Sequence, residues 1–253
     1  GSEMCIRDRD NVEGITDDEY GLAILQSDVL TYAHEGTNVF TAPETDALWV
    51  AGLYNETVQI TAKGGITSVD QLKGKAVCVG DQGSGTEFNA YQVLEAYGMT
   101  ADDIEVVHAN FGEASEMLKN GQIDAAFVVA GAPTTAVTSL AASSDVYLVS
   151  LDDEHIETLT ASSPYYSKNV IPADVYGTPE DVTTVAIGAV IIARDDVASQ
   201  DIVNFLTAVF ENELSHDKGK ELSLEFASSV TDVPYHPGAV EYFASKDIEV
   251  PGK

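Results

Sequence analysis

The sequence predicts an α/β fold in which mostly parallel sheets are covered by helices on both faces. Short apolar segments typical of buried strands alternate along the chain with segments of helical periodicity, and this alternation favours strands joined by helices. The chain has 253 residues, of which 44% are hydrophobic, so it can form one large domain or two smaller lobes with a core each. No apolar run approaches the roughly 20 residues of a membrane-spanning helix.

Predicted strands and helices alternate along most of the chain. Strands are predicted at Gly21–Leu25, Ala47–Leu53, Val58–Ala62, Ala76–Val79, Ile104–His108, Asp124–Val129, Val146–Leu151 and Val182–Ala193. Helices or helical turns are predicted at Ser68–Leu72, Ser84–Tyr97, Glu113–Lys119, Pro133–Ala142, Asp153–Ala161 and Ser199–Leu214. The last helix is the clearest, because apolar residues recur from Ile202 to Phe210 at the spacing of one helix face.

The composition and the N-terminus narrow the classes of function. The chain carries 42 acidic against 12 basic residues, and the net charge of −30 disfavours binding to nucleic acid or to anionic membranes. Residues Gly1–Asp10 differ in composition from the rest of the chain, so we interpret them as a tag remnant or artefact and leave them out of the predicted fold. The apolar stretch of a signal peptide is absent, as expected for a mature or shortened chain.

The segment Lys75–Ala90 is the most informative one for binding. A strand runs into a Gly-rich turn and a helix opens directly after it, which leaves backbone N–H groups and the helix dipole available for an anion. Gly83 and Gly85 would let the backbone approach a ligand, and Ser84 and Thr86 would add hydroxyl donors. The alternative is a simple helix cap, because Ser84 to Glu87 matches the capping box S-x-x-E. The spacing fits neither a P-loop nor a dinucleotide fingerprint.

Two further segments end predicted strands with small or polar residues. In Asp124–Thr134 the strand is followed by Gly131 and by Pro133 at a favourable first helical position, and open α/β sheets place ligands at this end of a strand. An ordinary strand-to-helix turn explains the pattern equally well. Gln26 and Ser27 follow the first strand and could face a ligand, or Asp28 could cap the next helix.

The sequence shows no constellation of catalytic or metal-binding residues. The five histidines lack zinc-site spacing, and the G-x-S-x-G nucleophile elbow is absent, so we predict no enzyme activity, no metal and no cofactor. Acidic pairs such as Asp102 and Asp103 stand at helix starts, where they complement the helix dipole. Of the two cysteines, Cys78 lies within an apolar strand, where a buried thiol and no disulfide are expected.

Taken together, the motifs resemble one family, the TAXI-type solute receptors of tripartite ATP-independent periplasmic (TRAP) transporters. The resemblance runs from about Gly21 to the C-terminus, and the order and spacing of several motifs agree. The matching stretches are Gly21–Asp28, Leu53–Tyr54, Ser68–Asn89, Gly121–Thr134, Pro164–Tyr166 and His236–Ala239.

The resemblance implies a two-lobed, type II-like periplasmic-binding-protein fold that closes on a small anionic ligand between its lobes. It implies a periplasmic or extracytoplasmic protein that captures an amino acid such as glutamate, or an organic acid such as 2-oxoglutarate, and delivers it to a TRAP permease. The first lobe would comprise residues 1–74 and 177–253, and the second lobe residues 75–176.

The resemblance also assigns the ligand-binding residues. Gln26 and Ser27 would line the first lobe, and Tyr54 and Tyr166 (or its neighbour Tyr165) are weaker candidates. From the second lobe, the residues expected to hold a carboxylate are Ser84, Gly85, Thr86 and Asn89. Those expected to close the pocket beside them are Gly131, Pro133 and Thr134.

The chain departs from the family at its beginning. The family's G-G-T-x-x-x-Y-Y and G-S-x-x-N segments are missing, so the first lobe is predicted to lack its N-terminal strand and helix. Two alternatives to transport stay open on the same fold. One is an enzyme, of the prephenate dehydratase or thiamine-precursor synthesis kind, which needs a general acid or a nucleophile. The other is a receptor domain that senses the ligand without transporting it.

Overall fold

The computed structural model describes residues 8–38, 40–143, 147–212, 214, 217–230 and 232–252. Gly1–Arg7, including Cys5, and Val146 lie outside the described residues. The strands are β1 Leu22–Gln26, β2 Ala47–Ala62, β3 Ala76–Cys78, β4 Glu105–Val107, β5 Ala125–Ala130, β6 Tyr147–Leu148, β7 Tyr166–Ile171 and β8 Val182–Arg194. The α-helices are α1 Asp8–Thr16, α2 Ser27–Glu35, α3 Gly85–Ala96, α4 Phe111–Lys119, α5 Thr135–Ser143, α6 Asp153–Ser162, α7 Ala173–Tyr176, α8 Ser199–Phe210, α9 Leu224–Ala227 and α10 Pro237–Ala244. Short 3-10 helices span Val69–Leu72, Ala101–Asp103 and Asp217–Glu221.

The chain forms two compact units, and it passes from one to the other within two long strands. The middle unit comprises Asn55–Ile187, and the terminal unit comprises Asp8–Tyr54 with Gly188–Lys253. The crossings therefore lie inside β2 and β8, whereas the predicted boundaries followed residues 74 and 176. Sequence patterns favour loops as boundaries, but here the extended backbone continues while its packing partners change.

The middle unit contains a mixed sheet with helices on both faces. The strand order is β7-β8-β2-β5-β3-β4, in which β8 contributes its first half. Successive side chains of β3 alternate between the faces: Val77 packs against a core that includes α3 and α6, and Cys78 against one that includes α4 and α5. The buried thiol predicted for Cys78 is confirmed, and burial raises its pKa.

The prediction of mostly parallel strands is wrong. Strand β3 pairs in parallel with β4 and with β5. Strands β1 and β7 pair antiparallel with β8, and β5 and β6 antiparallel with β2. Strand β2 runs from the terminal unit into the middle unit, and β8 runs from the middle unit back into the terminal unit. Local sequence patterns do not indicate these directions.

The terminal unit has a core of its own beneath β1 and the adjoining ends of β2 and β8. Trp49, Tyr235 and Phe243 are fully buried there, with their rings in tilted or edge-to-face contact. Asp8 is also buried, and it accepts a hydrogen bond from the Gln26 N–H at 3.1 Å. The interpretation of Gly1–Asp10 as outside the fold is therefore wrong for Asp8–Asp10, which belong to α1.

Two other predictions of local structure differ from the structure. The predicted strands at Ala47–Leu53 and Val58–Ala62 are one continuous strand, because the polar residues between them remain extended where the chain changes units. Strand β7 was not predicted, since three of its inner residues are exposed or half-buried polar side chains at the sheet edge. No helix of the described residues is long and apolar enough to cross a membrane.

Asp124 ties together the ends of three strands in the middle unit. Its carboxylate accepts hydrogen bonds from Lys63 Nζ at the end of β2, at 3.0 Å, and from the Ala76 N–H at the start of β3, at 3.1 Å. Partial burial opposes ionisation, but the hydrogen bonds from Lys63 and Ala76 outweigh it and hold the pKa of Asp124 below its ordinary value.

We expect the Asp124→Asn variant to lose part of the acid dependence of stability. A lowered folded-state pKa stabilises the fold fully above the unfolded-state pKa, and this contribution is lost as pH falls through the folded-state pKa. Urea unfolding of the wild type and the variant between about pH 6 and about pH 2 measures the effect. The difference in stability should shrink towards low pH, and the exposed Asp102→Asn serves as the control. A difference that is constant with pH would contradict this assignment.

Candidate functional site

The start of α3 lies beside the carboxyl ends of the parallel strands. Strand β3 runs between β4 and β5 in the same direction, so the loops that come after all three strands emerge at one edge. Ser84 is the N-cap of α3, with φ −83° and ψ 156°, and its hydroxyl oxygen accepts a hydrogen bond from the Glu87 N–H at 3.2 Å. The cap predicted at Ser84 is therefore confirmed.

The reciprocal half of the predicted capping box is different. The Ser84 N–H donates to the Asp81 carbonyl, so Glu87 does not receive it. Instead, one Glu87 oxygen accepts from the Gly83 N–H at 2.6 Å, and the other from Tyr91 and from His108 Nε2, at 3.1 and 2.7 Å. Burial, together with the Glu87 charge, raises the pKa of Tyr91 to about 12. Glu87 thus fixes the Gly-rich turn from its outer side.

Gly80 is the residue that allows the turn to pack closely on α3. Its φ is +97°, and a Cβ at this position would stand 2.8 Å from Thr86 Cγ2 and 3.1 Å from Ser84 Oγ. Gly83 also has a positive φ, of +77°, but a Cβ there would meet open space. The close packing of Gly80 on α3 was not predicted from the sequence, because the contact depends on the path of the turn. The expected approach of Gly83 and Gly85 to a ligand remains a prediction.

The first turn of α3 offers hydrogen-bond donors that the protein does not use. Among the described residues, the N–H groups of Gly85 and Thr86 and the Thr86 hydroxyl have no hydrogen-bond partner. Thr86 is only 2% exposed, and its methyl group faces Gly80. N–H groups at a helix start point away from the helix along its axis, where the dipole favours negative charge. The arrangement suits a carboxylate or another small oxyanion.

Asn89 lies one turn further along α3 and is fully buried. Its Nδ2 donates to the Tyr166 hydroxyl at 2.7 Å, and that hydroxyl donates to Gln92 Oε1 at 2.5 Å. Asn89 Oδ1 has no hydrogen-bond partner within the part of the chain that the structure describes. A buried acceptor without a donor costs about 1–3 kcal/mol, so this atom is a candidate ligand contact. Tyr166, itself a predicted ligand residue, is 5% exposed and supports Asn89 from the side.

The loop after β5 is held by a hydrogen-bond network. The Thr134 hydroxyl accepts from Gln59 Nε2 at 2.8 Å and donates to the Gly131 carbonyl at 3.1 Å. The Thr134 N–H donates to the Tyr176 hydroxyl, which donates to Gln59 Oε1. Burial raises the pKa of Tyr176. The polar groups of Thr134 are therefore committed to the fold.

The other predicted residues of this loop are placed at the same sheet edge as the start of α3. Gly131 is half-buried and Pro133 is exposed. Gln59 and Tyr176, which organise the loop, were missed from the sequence. Both lie far along the chain from Thr134, and the sequence carries no local signal for either.

The remaining predicted residues belong to the terminal unit. Gln26 and Ser27 are buried where β1 leads into α2, and Ser27 is the first residue of that helix. The Asp28 carboxylate accepts from the Val29 N–H at 2.9 Å within the first turn. Tyr54 is half-buried and packs against the core of the terminal unit. Their predicted contacts with a ligand remain predictions.

The middle unit also contains two cavities away from the α3 start. One, of about 410 Å³, is lined by residues that include Ile66, Tyr147 and Tyr176. The other, of about 540 Å³, lies between α4 and α5, where Phe111, Lys119 and other residues line it. None of the residues Ser84–Asn89 lines either cavity, so these spaces are separate from the donors of α3.

The chain is similar to known binding proteins. It is 24% identical over 198 residues to a candidate ABC transporter periplasmic binding protein of Brachyspira hyodysenteriae, covering 74% of this chain and 52% of that protein. The chain thus spans about half the length of this curated relative.

Similar solved structures include an ancestral arginine-binding protein bound to arginine, at a TM-score of 0.49 and 18% identity, covering 85% of this chain and 78% of that one. Another is the periplasmic sulfonate-binding protein SsuA of Methylobacillus flagellatus, at a TM-score of 0.48 and 18% identity, covering 83% of this chain and 54% of that one.

A family model, that of the NMT1-like family, matches residues 9–246 and so includes both units. The predicted α/β fold class is confirmed by the structure, in which strands and helices alternate and the chain divides into two compact units. Because the family model covers nearly the whole chain, the protein belongs to the NMT1-like family.

Proposed function

We propose that this protein is the extracytoplasmic solute-binding component of a transport system and that it captures a small carboxylate-bearing solute. The observation that carries the proposal is the start of α3, where the N–H groups of Gly85 and Thr86 have no acceptor among the described residues. Membership of the NMT1-like family and the similarity to a periplasmic binding protein support the same class of function.

Backbone groups matter here because few cations are available. The chain has 12 basic against 42 acidic residues, and Lys63, Lys73 and Lys168 of the middle unit pair with aspartates. The start of a helix can bind an anion without a basic side chain, since its N–H groups and its dipole supply the positive potential. Ser84 and Thr86 would bring hydroxyl groups to the same place.

We further propose a TRAP permease as the transport partner. The order of the sequence motifs from Gln26 to His236 supports it, whereas the similar Brachyspira protein carries the name of an ABC transporter component. TRAP and ABC transporters differ in the genes that are expected to lie next to the gene for the binding protein. A TRAP permease gene beside this gene is the expected finding, and a transporter ATPase gene in its place would overturn the choice of partner.

Calorimetric titration with glutamate, 2-oxoglutarate and related acids tests the proposed solute class. We expect saturable binding of at least one acid, and we expect Thr86→Val to weaken it about tenfold or more, because this change removes a hydroxyl donor while keeping the shape of the side chain. The exposed Thr138→Val is the matched control. If no acid binds to the folded wild type, the proposed ligand class is wrong.

A further inference from the structure

The carboxamide of Asn89 is held in one orientation by its neighbours. Tyr166 has a single hydroxyl hydrogen, and it is directed to Gln92 Oε1 at 2.5 Å. The Tyr166 oxygen accepts from Asn89 Nδ2 at 2.7 Å. Among the described residues, the acceptor Asn89 Oδ1 is then a buried atom without a partner.

The position of Asn89 on α3 connects this acceptor with the unused donors. Asn89 comes four residues after Gly85 and three after Thr86, so the three residues share one side of the helix. Helical side chains incline towards the helix N-terminus, which is the side of Asn89 on which Gly85 and Thr86 lie. Gly85 has no side chain that would occupy that space. The same part of the molecule thus presents N–H donors and one fully buried acceptor.

We propose that Asn89 is a specificity-determining residue whose Oδ1 accepts a hydrogen bond from the bound solute. This inference rests on the proposed solute-binding function and narrows the class of ligand. A carboxylate has no hydrogen to donate to Oδ1, so the solute must carry a donor close to its carboxylate. Acids with a 2-amino or 2-hydroxy group meet this requirement, whereas a 2-oxo acid presents an acceptor to another acceptor and is disfavoured.

Matched pairs of acids isolate the group at the second carbon. Glutamate with 2-oxoglutarate, alanine with pyruvate, and leucine with 4-methyl-2-oxopentanoate each exchange an ammonium for a keto oxygen on one skeleton. In calorimetric titrations of the full chain, we expect the amino acid of the pair that binds to exceed its 2-oxo partner by about tenfold or more in affinity, as one charge-assisted hydrogen bond would supply. The matching 2-hydroxy acid should fall between them.

Two variants test whether Asn89 is the source of this preference. Asn89→Leu removes Oδ1 and keeps the branching of the side chain at Cγ, and Tyr166→Phe keeps the ring but removes the hydroxyl that contacts the carboxamide. Both variants should bring the ratio of the affinities for the amino acid and the 2-oxo acid close to one. Tyr166→Phe keeps Asn89 and therefore provides the test if Asn89→Leu does not fold. Asn204→Leu, at an exposed position of α8, is the matched control and should keep the wild-type ratio.

The outcomes separate this inference from the proposed function. If the wild type binds an amino acid and its 2-oxo partner equally, carboxylate capture stands, Oδ1 is satisfied by water, and the inference is overturned. If both variants still prefer the amino acid to its 2-oxo partner, the inference is overturned as well, since another group of the protein must then accept the hydrogen bond from the solute. If no acid binds, the proposed function fails and the inference fails with it.

Discussion

Replacement of Gly80 by alanine is expected to abolish solute binding and to lower the free energy of unfolding by about 2–5 kcal/mol. A non-glycine residue at its φ of +97° costs about 1–2 kcal/mol. Overpacking adds about 1–3 kcal/mol, because the new Cβ would stand 2.8 Å from Thr86 Cγ2. The turn or the start of α3 must move, and with it the unused N–H groups.

Gly83→Ala is the matched control for this prediction. Gly83 has a similar φ, of +77°, but a Cβ there meets open space, so only the conformational cost of about 1–2 kcal/mol is expected. Urea unfolding and calorimetric titration measure both effects. Thr86→Ser removes the methyl group that a Cβ at Gly80 would meet, so it should partly rescue Gly80→Ala. Equal effects of the two alanine substitutions would contradict the close contact.

Replacement of Gln59 by leucine is expected to lower the free energy of unfolding by about 3–4 kcal/mol. The side chain of Gln59 satisfies the Ala130 carbonyl, at 3.1 Å, and the hydroxyls of Thr134 and Tyr176. Leucine would remove one hydrogen bond from each of these three groups in the interior of the middle unit, and each lost hydrogen bond costs about 1 kcal/mol or slightly more.

Urea unfolding measures this loss, with Gln122→Leu at an exposed position as the control. Tyr176→Phe should have a smaller effect, of about 1–2 kcal/mol, because it leaves the Gln59 contacts with Ala130 and Thr134 in place. A loss below about 1 kcal/mol for Gln59→Leu would mean that water replaces the side chain and that the network does not hold the loop.

The elements that the sequence predicts well are those whose pattern is local. The helix predicted at Ser199–Leu214 is confirmed, although it ends at Phe210, and the strand predicted at Val182–Ala193 is confirmed with one more residue, Arg194. Ser84 is confirmed as a cap, because capping is decided within four residues. The direction of strand pairing and the continuity of Ala47–Ala62 depend on packing between distant segments, which local patterns cannot report.

The same distinction applies to the candidate site. The Gly-rich turn and the start of α3 could be recognised from consecutive residues. The hydrogen bonds of Thr134 with Gln59 and Tyr176 could not be recognised in this way. Gln59 and Tyr176 are separated by 117 positions in the chain and are brought together only by the folded sheet. The role proposed for Asn89 also differs from the expected one, because its Nδ2 donates to Tyr166 and its Oδ1 has no partner among the described residues.

The measurement that tests the central claim most directly is a titration followed by the amide signals of the protein in NMR spectra. An acid that binds in calorimetry is added to ¹⁵N-labelled protein, and the amides of Gly85 and Thr86 are followed. The account predicts large chemical-shift changes of both amides that saturate, because a carboxylate would become their hydrogen-bond acceptor. The affinity obtained from these changes should equal the affinity measured by calorimetry. Saturated binding that leaves both amides unchanged would contradict it.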